Sequence, residues 1–317
     1  MRDARELKGL LTVVCLIVLI QNAAFAAGGV GADFLRLEPP AQTASMSNVF
    51  AGIADNINAM IYNPAGLTSV TATTVAFTHF SSFGDTNCEY VCGAVPISPE
   101  LGTVGASLMA TYTFDFPYYD EFGDQQGNVD NMDIVFTGSY AYPVFENLSL
   151  GANLKYFHST LYKYSKNGFA ADVGARVRLG KDPDTYAGVA IQNLGTQSAY
   201  ISTVDPMPVN IKAGLGFKVK MGDLADVTAG LDVNRLISKD ETPTMDAGAD
   251  VELLQVLSLR AGYGFRHDSG GLTMGVGVDL DRVKFSYSYE PFDILGAAHR
   301  ISLDIMLFQG APAKDGE

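Results

Sequence analysis

Two groups of residues in this chain have types and spacing that could do chemistry. The first is the run His267-Asp268-Ser269, which holds the base, carboxylate and nucleophile of an acyl-transfer triad. Neighbours in sequence cannot reach one another in triad geometry, so the run reads as a turn finishing in Gly270-Gly271. The other histidines, His79, His158 and His299, have no second ligand at metal spacing such as His-x-x-x-His. The expectation is a protein that is not an enzyme and that carries no metal or cofactor.

The second group is a set of charges alternating with apolar residues. Asp172, Arg176 and Arg178 share one face of a single run. Lys212, Asp232, Asp250, Arg260, Asp279 and Asp304 occupy the polar face of later runs, with Lys218, Asp226, Asp246, Glu252 and Lys284. If the opposite, apolar face meets lipid, these charges must face inward, because a basic residue against hydrocarbon costs about 2–4 kcal/mol. There they would pair across strands as a lattice closing a lumen, or line a polar path through it.

The elements that must position these groups are strands. In Ala225–Asn234, Ala225, Val227, Ala229, Leu231 and Val233 alternate with Asp226, Thr228, Gly230, Asp232 and Asn234. Met245–Glu252, Leu272–Leu280 and His299–Phe308 repeat the pattern. Weaker runs fill residues 71–80, 87–95, 101–112, 131–142, 148–158, 168–179, 186–193, 209–220, 257–266 and 283–289, giving about fourteen antiparallel strands between residues 71 and 308. The polar face is mostly Gly, Ser, Thr, Asn and Asp, which suits the crowded inside of a closed barrel better than the watered face of a sandwich. Closure also removes the sheet edges that hydrocarbon cannot tolerate. Tyr140, Tyr142, Tyr156, Tyr263, Phe265, Tyr287 and Tyr289 recur near strand ends, as interfacial girdles would. The expected fold is therefore an all-β transmembrane barrel.

The ends fit an exported chain. Arg2, Arg5 and Lys8 precede an apolar run from Leu10 to Ile20, and Ala24-Phe25-Ala26 offers a cleavage site after Ala26. The run is about 11 residues, short of the ~20 a spanning helix needs. Cleavage takes away three basic and two acidic residues, moving the net charge from −14 to −15. So acidic a chain is a poor partner for nucleic acid. Residues 27–70 lack strand alternation and contain a helix-like piece near Met46–Met60. They read as a short, partly helical plug in the lumen or as a periplasmic extension. Asn63-Pro64-Ala65-Gly66 would be the hinge into the first strand, with a gating or ligand-lining role as the alternative. Residues 309–317 form a tail. Cys88 and Cys92 would sit about 13 Å apart on one straight strand. That is beyond disulfide reach unless Glu89-Tyr90-Val91 turns, so free thiols are expected.

Phe114–Asn131 is the longest apparent connection. Its Phe116, Tyr118, Tyr119 and Phe122, interleaved with acidic residues, read as a solvated loop or a partner-binding surface. Ala199–Pro208 is a second such connection.

Several motifs in order along the chain carry a resemblance. They are Gly31-Ala32-Asp33-Phe34-Leu35-Arg36-Leu37, Tyr62-Asn63-Pro64-Ala65-Gly66-Leu67, Val189-Ala190-Ile191-Gln192-Asn193-Leu194-Gly195, Leu231-Asp232-Val233-Asn234-Arg235, Leu259-Arg260-Ala261-Gly262-Tyr263 and His299-Arg300-Ile301-Ser302-Leu303. Together they resemble the PorV/PorQ family of outer-membrane proteins, which is similar in turn to the FadL-type transporters. The resemblance implies a fourteen-stranded outer-membrane barrel with an N-terminal hatch, in contact with outer-membrane lipid. Its PorV branch implies handling or surface attachment of secreted proteins, with cargo and other secretion components as partners. Its FadL branch implies passive uptake of a hydrophobic ligand. A purely structural barrel is the third reading.

Overall fold

The computed structural model describes residues 30–82, 84–222, 224–237, 242–266, 271–292 and 296–309. The expected signal peptide, the His267-Asp268-Ser269 run and residues 310–317 of the tail lie outside them. The wall consists of fourteen antiparallel strands. The first seven are β1 (Ala72–Ser81), β2 (Asn87–Ser98), β3 (Gly102–Tyr119), β4 (Gln125–Phe145), β5 (Leu148–Leu161), β6 (Tyr164–Lys181) and β7 (Asp184–Gln197). The rest are β8 (Asn210–Met221), β9 (Ala225–Leu236), β10 (Thr244–Leu253), β11 (Leu257–Phe265), β12 (Leu272–Leu280), β13 (Val283–Pro291) and β14 (Ala297–Gln309). Each pairs with its neighbours in sequence, and β14 pairs with β1 to close the ring. Closure satisfies every edge, as a sheet surrounded by hydrocarbon requires.

The period-two pattern sorts side chains between two faces. Along β11, Leu259, Tyr263 and Phe265 are exposed while Ser258 and Arg260 are buried. The outer wall presents Leu, Val, Phe and Tyr from every side, including Phe77, Val91, Leu154, Leu231 and Val276. No helix among the described residues is long and apolar enough to cross a membrane.

The two ends of the barrel differ. The connections after β2, β4, β6, β8, β10 and β12 have two or three residues. At the other end, the connections after β7, β9 and β11 span residues 198–209, 237–243 and 266–271. Short turns at one mouth and longer loops at the other are the pattern of transmembrane barrels.

Two expectations need correction. Residues 114–131 are not a loop, because β3 and β4 continue through them as a hairpin with Phe116 opposite Val129 and Tyr118 opposite Gly127. Their neighbours stop earlier, β2 at Asn87 opposite Tyr112 and β5 at Leu161 opposite Asn131. The hairpin therefore projects alone, and alternation diluted by Asp115, Asp120 and Gly123 hid its strands. Residues 46–60 do not form one helix either. The N-terminal segment folds as single turns at Asp33–Arg36, Ala41–Ala44 and Ala59–Tyr62 and a 3-10 helix at Pro64–Ser69. Its apolar spacing reflects burial on all sides. Val49, Phe50, Ile53, Ile57, Met60, Tyr62 and Leu67 are all almost fully buried.

Candidate functional site: the filled lumen and its two mouths

Residues 30–70 run through the barrel from one mouth to the other. Gly31 donates its N–H to the Pro206 carbonyl in the long 198–209 connection (2.9 Å). At the far end Thr68 bonds Ser149, which lies beside the short turn between β4 and β5 (2.8 Å). Over most of the circumference the wall receives this segment with glycine. A Cβ at Gly188 would lie 1.9 Å from the Ala51 carbonyl oxygen, and one at Gly151 would lie 2.3 Å from the Ala65 nitrogen. Gly105, Gly174, Gly216, Gly230, Gly248, Gly262 and Gly275 likewise have segment atoms where a side chain would be. Gly216, Gly230, Gly248 and Gly262 are successive cross-strand partners, a continuous floor without side chains. Glycine inside a strand weakens it, and close approach of another backbone is its usual reason there.

The arc formed by β1 and β2 is built differently. There Phe80, Cys88, Tyr90 and Cys92 face inward and join one apolar core with Phe50, Ile53, Met60 and Tyr62 of the segment. Phe50 and Tyr62 meet edge to face at 5.5 Å. Cys88 and Cys92 are free and buried.

The charges expected in the lumen all belong to inward faces, but they do not form one lattice. Several hold the segment. The Asp232 carboxylate accepts the Phe50 and Ala51 N–H groups (2.9 and 2.8 Å). Arg176 donates to the Gly52 carbonyl (3.1 Å) and the Ser69 hydroxyl (2.9 Å). Lys212 pairs with Glu38 (2.5 Å) and lies over the Tyr62 ring. Other charges pair within the wall, Arg260 with Asp250 (2.8 Å) and Lys284 with Asp279 (3.0 Å). Arg178 pairs with Asp184 at the short-turn rim, and Asp304 lines the mouth there. Burial raises the Glu38 carboxyl above its ordinary value, partly offset by Lys212, and raises the Tyr62 phenol well above its own.

Asn63, Pro64, Ala65 and Gly66, the expected hinge, join the segment to β1 but are all buried. The Asn63 amide donates to the carbonyls of Ala51 (2.9 Å) and Ala175 (3.0 Å), and its oxygen accepts the Ala65 N–H. Phe116, Tyr118, Tyr119 and Phe122 stand exposed on the projecting hairpin, Phe122 most of all at 82%.

Sequence reasoning missed a bulge in β7. Gln192 and Asn193 together oppose Asp172, with Asn193 at φ 61°, so both side chains point inward. Asp172 accepts the Asn193 N–H (2.8 Å), the Asn153 amide (2.7 Å) and the Lys155 ammonium (2.7 Å). Gln192 donates to the Ile61 carbonyl of the segment (2.6 Å). The signal was Gln192-Asn193, two adjacent amides where the alternation allows one. Glu38 and Asp55, which pairs with Lys218, were missed because the segment has no period to read.

Each mouth keeps a cavity. The one at the long-loop mouth has about 210 Å³ and is lined by Arg36, Glu38, Asn48, Asn234, Asp246 and Glu290. The one at the short-turn mouth has about 200 Å³, with Asp55, Asn56, Asp279 and Asp304 in its lining.

The profile of an uncharacterised protein family, UPF0164, covers residues 35–311, which is nearly the entire described chain. The chain belongs to UPF0164. No curated protein matches this member. Among solved structures, its fold is similar to the toluene transporter TbuX of Ralstonia pickettii (12% identity, TM-score 0.58, 85% of this chain and 97% of that one). It is similar also to the monoaromatic hydrocarbon channel CymD (14%, 0.56, 89% and 97%) and to a FadL homologue of Pseudomonas aeruginosa (12%, 0.53, 84% and 98%). At these identities the likeness is one of fold. The UPF0164 chain is thus a closed fourteen-stranded barrel whose fold is similar to that of these proteins.

Proposed function

We propose that this UPF0164 protein is exported by a cleaved signal peptide, inserts in the outer membrane, and lets small hydrophobic molecules cross passively past its plug, residues 30–70. The observation that carries this reading is an apolar-faced closed wall filled by its own N-terminal segment, on a fold shared with transporters of aromatic hydrocarbons. The two arcs of the lumen suggest where passage occurs. On the glycine arc, backbone is wedged against backbone and fixed by Asp232 and Arg176. On the β1–β2 arc Phe80, Cys88, Tyr90 and Cys92 meet the segment with mostly apolar surface. A hydrophobic solute can replace such contacts without stranding a polar group, so the path runs along β1 and β2. The test is uptake of labelled toluene by a bacterial host lacking its own hydrocarbon channel. Expression should speed uptake several-fold, and an unchanged rate in cells with the protein in the outer membrane refutes the reading.

One observation favours a second reading, in which the barrel receives secreted proteins as a PorV-like component. The β3–β4 hairpin projects about 20 Å beyond its neighbours, six residues at the rise of a strand, with aromatic residues exposed. Photo-crosslinkers at Tyr118 and Phe122 should then capture secreted proteins in intact cells. Capture of none, with toluene uptake intact, leaves the transport reading alone.

A further inference from the structure

On the outer wall, away from the lumen, β3 to β6 form an apolar groove of about 490 Å³. Its floor is Gly138, where a Cβ would meet nothing within 4 Å, between its cross-strand partners Ala106 and Leu154. Phe136, Leu154 and Phe169 form its sides and are 53–73% exposed. Tyr156 closes the end toward the long-loop mouth, its ring 5.2 Å from that of Phe169. Many strand glycines of the lumen have the segment against them, but Gly138 faces outward into space that no described residue occupies.

The polarity of the wall changes in order along the β5–β6 hairpin above this groove. Next to it Tyr156 donates to the Asn167 side-chain oxygen (2.9 Å), which also bonds His158 Nδ1 (2.7 Å). Thr160 bonds the other ring nitrogen of His158 (3.2 Å). With Asn167 Oδ1 taken up by these donors, the Asn167 amide nitrogen is left to donate elsewhere. At the hairpin tip the Lys163 ammonium lies 5.5 Å from the rings of both Tyr162 and Tyr164. The order from membrane interior to surface is apolar slot, hydrogen-bonding cluster, cation. Leu154 and His158 are four residues apart, about 13 Å along a strand.

We propose that this strip binds one membrane lipid of the leaflet at the long-loop end, with an acyl chain in the groove and an anionic, phosphate-bearing head against the Asn167 amide and Lys163. The order of surfaces matches an amphiphile, and the single cation at the tip calls for negative charge on its head. A neutral or purely apolar ligand would leave the upper half of the strip unused. The inference rests on the reading of the wall as membrane-embedded.

The chain contains no tryptophan, so one introduced tryptophan reports its own surroundings. Phe169→Trp places it in the groove, and Val276→Trp places it on the outer face of β12. Each variant goes into vesicles of phosphatidylcholine containing a minor fraction of phosphatidylglycerol, with one lipid or the other brominated as quencher. Quenching at residue 169 should show a preference of about fivefold for phosphatidylglycerol, the scale set by one lysine near a membrane surface. The preference should be near one at residue 276, and Lys163→Ala should bring residue 169 down to it. Equal preference at both positions, or a preference at 169 that survives Lys163→Ala, overturns the proposal. No quenching at either position would instead overturn the membrane reading beneath it.

Discussion

The two arcs of the lumen hold the same segment by opposite means. Along β5 to β12 the wall offers glycine where the segment's backbone crosses it, and the segment is pinned between these glycines by Asp232, Arg176 and Gln192. Along β1 and β2 the wall keeps large side chains, and Phe80 and Tyr90 join the same apolar core as Phe50, Met60 and Tyr62 of the segment. The first arrangement is close in fit and intolerant of added volume, whereas the second can exchange one apolar contact for another. Passive passage around the segment, as proposed, would use both.

This contrast can be broken at a single atom. Gly188→Leu drives a side chain into the Ala51 carbonyl and should destabilise the barrel by about 3 kcal/mol or more, at the upper end of overpacking. The same change at the outward Gly138 should stay within about 0.5 kcal/mol. Urea unfolding midpoints in detergent, with the gel shift on boiling as the sign of a closed barrel, separate the two. Equal effects would mean that the segment is not seated as described.

Asp232→Ala removes the acceptor of two buried N–H groups and should cost about 2–3 kcal/mol. Limited proteolysis should then cut within residues 46–56 while the wall stays intact. On the other arc, Cys92→Ala removes one sulfur from the apolar core and should cost only about 1 kcal/mol. It should leave the protease pattern unchanged, and a cut like that of Asp232→Ala would erase the distinction between the arcs.

The smallest effect concerns Glu38. Burial raises its carboxyl above the ordinary 4.5, so the folded protein keeps that proton to a higher pH than the unfolded chain does. The stability owed to this group is complete below about pH 4.5 and declines as pH rises through the folded-state value. Urea midpoints of the wild type should therefore fall between those limits more steeply than those of Glu38→Gln. Parallel profiles would show that Lys212 offsets the burial completely.

Much of the wall was legible in the sequence. All fourteen strands follow from period two, because the outer face has one solvent and side chains obey it. Lumen charges such as Asp172, Asp250 and Arg260 were legible for the same reason. What each charge holds was not, because Asp232 binds the Phe50 and Ala51 amides and Arg176 binds the Gly52 carbonyl, backbone atoms about 125–180 residues away, and backbone has no signature in sequence. Gly230, Gly248 and Gly275 of the Ala225, Met245 and Leu272 runs were visible as small polar-face residues, but the reason for them appears only when Val49 and Ile53, Met46, and Ser45 lie against them in turn. The hairpin at residues 114–130 escaped because a two-stranded ribbon with no core on either side has no need to alternate.

The path of the segment has a consequence for assembly. Val30 and Val70 lie toward opposite mouths, so the chain passes once through a ring made of its own later residues. The seam of that ring joins residues far apart, with Thr78 bonded to Ser302 across 224 positions. The glycine floor is contoured to the segment, with segment atoms where side chains would otherwise stand. The fit predicts that the segment is in place when β1 meets β14 and acts as a mandrel for closure. A chain lacking residues 27–70 should accordingly refold without the gel shift of a closed barrel, and a normal shift would show that the ring can close empty.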